Sequence, residues 1–257
     1  MTAPLVFQSR RADVLGLRLH VRVAGSGPPI VLLHGLGVSG SYLEPLGLLL
    51  ARTRRVVVPD LPGWGKSERP RRPLGVEGAA EVLGGLVRRL GGPVPLVANS
   101  YGAQVVLALA DAEPGLVGRL VLVGPTVDPA YRGWARHAWR LAVDSVREPP
   151  SLWPTIARDY ARMGPSRVLA TAGAALGDRP EARLPRLRAP VLVLRGARDA
   201  ITTDAWCARC AALAPAGRFA VVHGAAHAAH VSRAAVVAAL VEEFLAERDD
   251  RVDELLG

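Results

Sequence analysis

The stretch Val97-Ala98-Asn99-Ser100-Tyr101-Gly102-Ala103 holds the residues best spaced for chemistry. A small residue, any residue, serine, any residue and glycine, lying between a strand and a helix, is the pattern of a sharp turn that lifts a serine hydroxyl above a sheet edge. Small residues two before and two after the serine let neighbouring backbone come close. The N–H of Tyr101, at the start of the following helix, can then face a developing oxyanion. Ala98 stands where glycine is commoner, a mild departure. The bland alternative is a serine that merely caps a helix. A serine nucleophile needs a base to take its proton and an acid to orient that base. Six histidines are available, and three of them, His223, His227 and His230, cluster after the last predicted strand. His20 falls inside an early strand and reads as structural. Asp199 follows a buried strand and a turn at Gly196, which aims a carboxylate over the strand's C-terminal end; a solvated loop aspartate would look similar. Asp128 is a rival acid, Asp204 reads as a helix cap, and Asp60 reads as a brace between loops.

The elements that must position these groups alternate between short apolar runs and longer amphipathic segments. That rhythm implies a mostly parallel sheet with helices on both faces. Strands are predicted at Leu17–Val23, Ile30–Leu33, Val56–Val58, Val94–Ala98, Arg119–Val123, Val191–Arg195 and Phe219–Val222. Helices are predicted at Ser41–Arg52, Gly75–Leu90, Tyr101–Ala112, Asp204–Leu213 and Ser232–Arg248. From Thr126 to Arg188 no buried strand is evident, and prolines punctuate helical patterns. The expected organisation is a core of residues 1–125 and 189–257 with a helical insertion, 126–188, between them. Both ends of the insertion are expected at the C-terminal edge of the sheet, which would set it above Ser100 as a cap. Trp134, Trp139 and Trp153 are its candidate pocket residues.

Four motifs in this order resemble the α/β-hydrolase superfamily along nearly the whole chain: the Ser100 turn, Val31-Leu32-Leu33-His34-Gly35-Leu36-Gly37, Pro59-Asp60-Leu61-Pro62-Gly63-Trp64-Gly65-Lys66-Ser67, and Val193-Leu194-Arg195-Gly196-Ala197-Arg198-Asp199. The resemblance implies an α/β-hydrolase fold with a helical cap and a Ser-acid-His order along the chain. It implies Ser100 as nucleophile, Asp199 as acid and His227 as base, since Ala226-His227-Ala228-Ala229-His230 is similar to the family's base loop. It leaves Asp128 as an alternative acid and His230 as a lesser candidate base. The loop after Leu33 then supplies the second oxyanion donor, the N–H of Leu36, with Gly37 as an alternative, and His34 shapes that loop. The implied activity is hydrolysis of a carboxylic ester or lactone through an acyl-enzyme, with no cofactor and no metal. Asn99 before the serine is similar to carbon–carbon bond hydrolases of aromatic-ring breakdown, which stay open as an alternative. Thioesterase or acyltransferase work and a non-catalytic binding module also stay open.

Composition bounds the remaining readings. The chain has 257 residues, half of them hydrophobic, with a net charge of +9. Every basic residue except Lys66 is arginine, and the arginines are dispersed from Arg10 to Arg251. Dispersal without a recognition motif argues against nucleic-acid binding. Two cysteines exclude a disulfide scaffold. Trp206-Cys207-Ala208-Arg209-Cys210 has redox-like spacing but falls inside a helical pattern, which favours ordinary helix cysteines. Arg132, Arg136 and Arg140 share one helix face, either simply solvated or steering an anionic substrate. The expectation is a cytoplasmic enzyme acting on a small ester-like molecule, with no nucleic-acid or membrane partner and with a homodimer left open.

Overall fold

The computed structural model describes residues 4–247. Its strands are β1 (Gln8–Val14), β2 (Leu17–Ala24), β3 (Pro29–Leu33), β4 (Arg55–Pro59), β5 (Val94–Asn99), β6 (Val117–Val123), β7 (Val191–Gly196) and β8 (Gly217–Val222). They form one sheet in the order β1-β2-β4-β3-β5-β6-β7-β8. β2 pairs antiparallel with both β1 and β4, and all other neighbours are parallel. The unbroken apolar runs of β3, β5 and β7 are what a strand buried on both faces requires. Along them the side chains alternate. Val31, Leu33, Leu96 and Val193 enter one core with α2 (Val76–Arg88), α3 (Tyr101–Ala112) and α8 (Asp204–Leu213). Ile30, Leu32, Val97 and Leu194 enter a second core with α1 (Glu44–Leu50) and α10 (Ala234–Ala246). This is an α/β-hydrolase fold.

Several elements depart from the sequence reading. β1 is not evident in the sequence because nearly all of its side chains are exposed. It closes a hairpin with β2 through Leu15 and Gly16, both at positive φ (50° and 77°), the geometry of a tight hairpin turn without its usual Asn-Gly signature. The helix expected over Ser41–Arg52 divides into a 3-10 turn at Gly40–Leu43 and α1, with Pro45 in the first turn of α1. The helix expected over Ser232–Arg248 divides into α9 (Ala229–Ser232) and α10; Arg248 lies outside the described residues. Among those residues no helix is long and apolar enough to cross a membrane.

Between β6 and β7 lie α4 (Trp134–Ser145), α5 (Trp153–Met163), α6 (Pro165–Gly177) and α7 (Pro180–Arg183). The segment leaves the sheet at the C-terminal end of β6. It does not return there, because β7 is parallel to β6 and so begins at the opposite edge. α7 packs against α3 on the way back, and the fully buried Leu184 follows it. α6 is tied to α3 near the Ser100 turn, where Gln104 Nε2 donates to Ala175 O at 2.9 Å.

Asp60, at the end of β4, is fully buried and ties four segments together. It accepts from Arg22 Nη1 (2.7 Å), His20 Nδ1 (2.9 Å), Gly40 N (2.7 Å) and Lys66 N (2.9 Å). Burial alone would raise this carboxyl; the His20 hydrogen bond and the Arg22 guanidinium draw it well below the usual range. Gly65 is required beside it, since a Cβ there would lie 2.3 Å from Asp60 Oδ2. Asp60→Ala should cost about 3–5 kcal/mol, because His20 and the N–H groups of Gly40 and Lys66 would lose their acceptor and the buried Arg22 would keep only Glu44 as its partner, at 3.0 Å. Because the folded pKa lies below the unfolded one, the Asp60 contribution is complete above about pH 4 and is lost as pH falls toward the folded value. Urea titrations of parent and variant at neutral and acid pH measure both effects, with a gap that narrows on acidification.

Candidate active site

Ser100 follows β5 directly, at φ 55° and ψ −120°, a backbone region that a residue bearing a side chain seldom occupies. The turn is held from both sides. Ser100 N donates to Val123 O at 3.0 Å, and Ala103 N donates to Ser100 O at 2.9 Å. Gly102 has no substitute here, since a Cβ would stand 2.6 Å from His34 O and 2.9 Å from Leu33 O. Ala98 fits with its methyl fully buried, which accounts for alanine at that place. Asn99 staples the turn to its neighbours, its side-chain amide donating to Val123 O (3.0 Å) and His227 O (3.5 Å).

The structure brings His227 and Asp199 together. His227 Nδ1 donates to Asp199 Oδ2 at 2.9 Å. The same carboxylate accepts from Thr202 Oγ1 (2.7 Å), Ile201 N (2.7 Å) and Thr202 N (2.9 Å), which satisfies a charge buried at the end of β7. Burial opposes ionisation of Asp199, but the His227 charge and these donors outweigh it and lower its pKa. Burial also opposes the His227 cation; the Asp199 charge and hydrogen bond, with Asp144 and Glu148 behind them, raise it to about 9. His227 Nε2 is buried without a hydrogen-bond partner among the described residues. Gly124, after β6, makes room for the pair: a Cβ there would meet His227 Nδ1 at 2.8 Å and Asp199 Oδ2 at 3.1 Å.

The other candidates stand elsewhere. Asp128 caps the turn at Pro129–Tyr131 through Ala130 N (3.0 Å) and accepts from Thr203 Oγ1 (2.7 Å), so it does not contact His227. Thr203, rather than Asp204, caps α8, and Asp204 pairs with Arg195 at 2.9 Å. His34 Nδ1 donates to Gly35 O (2.8 Å), and its Nε2 accepts from Leu61 N (3.0 Å), which fixes the loop after β3. The His230 ring has no hydrogen-bond partner among the described residues; it is buried edge-on against Tyr42, and burial lowers its pKa to about 3. Cys207 and Cys210 are buried in α8 and their thiol pKa values are pushed up by burial, that of Cys207 to about 12. Among the described residues no cluster of three or more His, Cys, Asp or Glu could hold a metal ion.

A cavity of about 310 Å³ opens over Ser100 and His227, with Leu36 and Tyr101 on its wall. As the first residue of α3, Tyr101 has an N–H with no carbonyl to meet inside the helix. Of the three tryptophans expected at the pocket, only Trp153 lines it. Trp134 and Trp139 are 52% and 70% exposed and lie outside it. For Trp139 the reason is helical phase: α4 turns His137, Leu141, Asp144 and Ser145 inward, with Glu148 one turn further on, and Trp139 falls between those rows. Trp134 is in phase with His137 but stands at the first turn of α4, against Gly173 of α6. The arginine face is also largely engaged. Arg132 pairs with Glu181, and Arg140 lies 4.0 Å over the Tyr131 ring and donates to Ile201 O. The sequence reading missed His137, Asp144 and Glu148; their shared helix face was the available signal.

The alpha/beta hydrolase family profile matches residues 30–240. The chain is 30% identical over 267 residues to a 2-hydroxymuconate semialdehyde hydrolase of Pseudomonas putida, covering 91% of this chain and 92% of that one. It is 29% identical over 280 residues to the enzyme of the same name from Pseudomonas sp. (strain CF600), with 93% and 94% covered. A thermophilic esterase from Thermogutta terrifontis is similar in structure, with TM-score 0.78, 25% identity, and 93% of this chain and 98% of that one covered. The chain belongs to the alpha/beta hydrolase family.

Proposed function

We propose that this chain is a serine hydrolase of uncharged, largely apolar carboxylic esters or lactones. Ser100 attacks the carbonyl carbon while His227 Nε2 takes its proton, and Asp199 holds the imidazole in that tautomer. The N–H groups of Leu36 and Tyr101 receive the charge that develops on the carbonyl oxygen. His227 returns the proton to the leaving alcohol, and water then opens the acyl-enzyme by the same route. The His227–Asp199 pair beside the strained Ser100 turn supports the nucleophile reading.

One observation supports the substrate class. Among the described residues, no arginine or lysine lines the cavity; its carboxyl and imidazole groups are those of Asp144, Glu148, His137 and His227, set in a wall of residues such as Leu141, Ile156 and Leu176. An anionic substrate entering this space would lose its hydration and meet the Asp144 and Glu148 carboxyl groups, while the His227 imidazole is already paired with Asp199. The two relatives named 2-hydroxymuconate semialdehyde hydrolase favour a second reading, carbon–carbon cleavage of a ring-fission dienoate. Such a dienoate carries a carboxylate, which this cavity opposes.

Paired assays separate the two. Purified enzyme should turn over neutral aryl esters or lactones with kcat/KM at least about tenfold above that for a ring-fission dienoate, a gap of about 1.4 kcal/mol in transition-state binding. A preference for the dienoate would favour carbon–carbon cleavage. Ser100→Ala should lower kcat by at least about 10³-fold, and Asp199→Asn should be severely impaired, while Asp128→Asn should change little. Ester turnover that survives Ser100→Ala would end the acyl-enzyme mechanism.

Trp153→Ala should change the preference between short and bulky acyl chains by about 1–3 kcal/mol. Trp134→Ala and Trp139→Ala should have smaller effects. Competition between two esters in one vessel measures the ratio directly.

A further inference from the structure

We infer that three carboxylates of the segment between β6 and β7, Asp144, Glu148 and Asp159, are positioning residues for catalysis, each holding a different loop of the active site by a backbone N–H. The inference rests on the proposed roles of Ser100, His227 and Asp199. Asp144 Oδ1 accepts from Ala200 N at 2.9 Å, beside the acid Asp199. Glu148 Oε1 accepts from Ala228 N, beside the base His227. Asp159 Oδ2 accepts from Ser39 N at 2.9 Å, in the loop that presents Leu36. Asp144 and Asp159 are only 3% and 4% exposed. A carboxylate is desolvated at this depth at considerable cost, which a charge-assisted bond to an otherwise unpaired N–H offsets.

Neighbouring contacts reinforce the same grip. On the acid loop, Arg147 Nη1 donates to Arg198 O (3.0 Å) and Arg140 Nε donates to Ile201 O (3.1 Å). On the loop after β3, Arg158 Nη2 donates to Ser41 Oγ at 3.1 Å, and the Tyr160 ring closes on Gly37, where a Cβ would stand 2.0 Å from the ring. α4 with its extension therefore holds the acid and base loops, and α5 holds the loop of the oxyanion donor. These helices wall the cavity and also set the relative positions of three loops that the sheet alone leaves attached at their strand ends.

Two of the three carboxylates also act through charge. His227 is faced by Asp199 from its own hydrogen bond, by Asp144, Glu148 and His137 from α4 and its extension, and by His230 from α9. Tyr42, from the turn before α1, faces Asp144, Glu148 and Asp199. Asp144 and Glu148 both raise the His227 pKa, and burial lifts Glu148 itself to about 7. Neutral His227 is the form that accepts the serine proton, so the rate climbs as pH rises through the His227 pKa. Removing either anion moves that climb to lower pH. Asp159 is not among the leading influences on His227, so its amide should leave the climb nearly in place.

The test reads Ser100 directly, through its rate of modification by a fluorophosphonate across pH, and so does not depend on the natural substrate. Asp144→Ala, Glu148→Ala and Asp159→Ala should each slow modification at the high-pH plateau by about ten- to a hundredfold, the scale of a small misplacement of reacting groups. Asp144→Asn, Glu148→Gln and Asp159→Asn keep an acceptor oxygen and should recover most of that rate. The first two amides should also shift the climb to lower pH, and the third should not. Alanine variants with parental circular dichroism that react at the parental rate would overturn the inference, as would amide variants no faster than folded alanine variants. If the alanine variants do not fold, the amide series decides: the pattern of two shifted profiles and one unshifted supports the inference, and any other pattern overturns it. A parent enzyme whose Ser100 does not react would overturn the nucleophile reading and this inference with it, whereas a parent that reacts but prefers dienoates would overturn only the substrate reading.

Discussion

Ser100 is held at a positive φ, a conformation that costs a residue with a side chain about 1–3 kcal/mol. It persists because everything around it leaves no alternative. β5 is central in the sheet, so the chain entering the turn is fixed on both sides. α3 departs at once and is buried along almost its whole length, so the chain leaving the turn is fixed as well. The backbone of His34 fills the place that a side chain at Gly102 would need. The strain is therefore distributed into a packed sheet and a packed helix, and the backbone that carries the Ser100 hydroxyl is fixed from both sides.

Around that fixed point the remaining groups arrive on loops, and loops need their own constraints. The Asp199 carboxylate organises the turn after β7 by collecting two backbone N–H groups and a threonine hydroxyl before it meets His227. Arg195 binds the other side of the turn, donating to Thr202 O (2.9 Å) and Asp199 O (2.8 Å). Asp60 does the same for the segments around β2 and β4. In each case one buried charge replaces the regular ladder that a loop lacks, and the fold tolerates it because every oxygen is engaged.

Much of this was legible in the sequence for local reasons. The apolar strands, the small residues around Ser100 and the order Ser100, Asp199, His227 are all patterns within a few residues or along one direction of the chain. The hairpin of β1 was not legible, because an edge strand with exposed side chains carries no apolar alternation and Leu15-Gly16 is an uncommon turn. Trp139 was misjudged because tryptophan attracts notice by size, whereas its direction depends on which row of α4 the cavity meets. Asp144, Glu148 and Asp159 bind backbone 56, 80 and 120 residues away, and a backbone N–H has no residue type by which a sequence could announce it. The return of the chain to β7 at the far edge follows from parallel pairing, a property of the sheet rather than of the residues in the segment.

The hydrogen bonds from α4 and α5 to the sheet-edge loops have a thermal consequence. The helices between β6 and β7 carry several exposed apolar side chains, among them Trp139 and Leu169, whereas the sheet strands β3, β5 and β7 are buried but for the half-buried Pro29 and Pro95. Elements with less buried apolar contact open at lower free energy than a packed sheet. On warming, the helices therefore loosen first, and the loops lose part of their support while the sheet is still intact. Activity is then expected to fade before the sheet melts, together with the part of the far-ultraviolet helical signal that α4, α5 and α6 supply. The heat tolerance of the enzyme is set by its helical roof, and that of the fold by its floor.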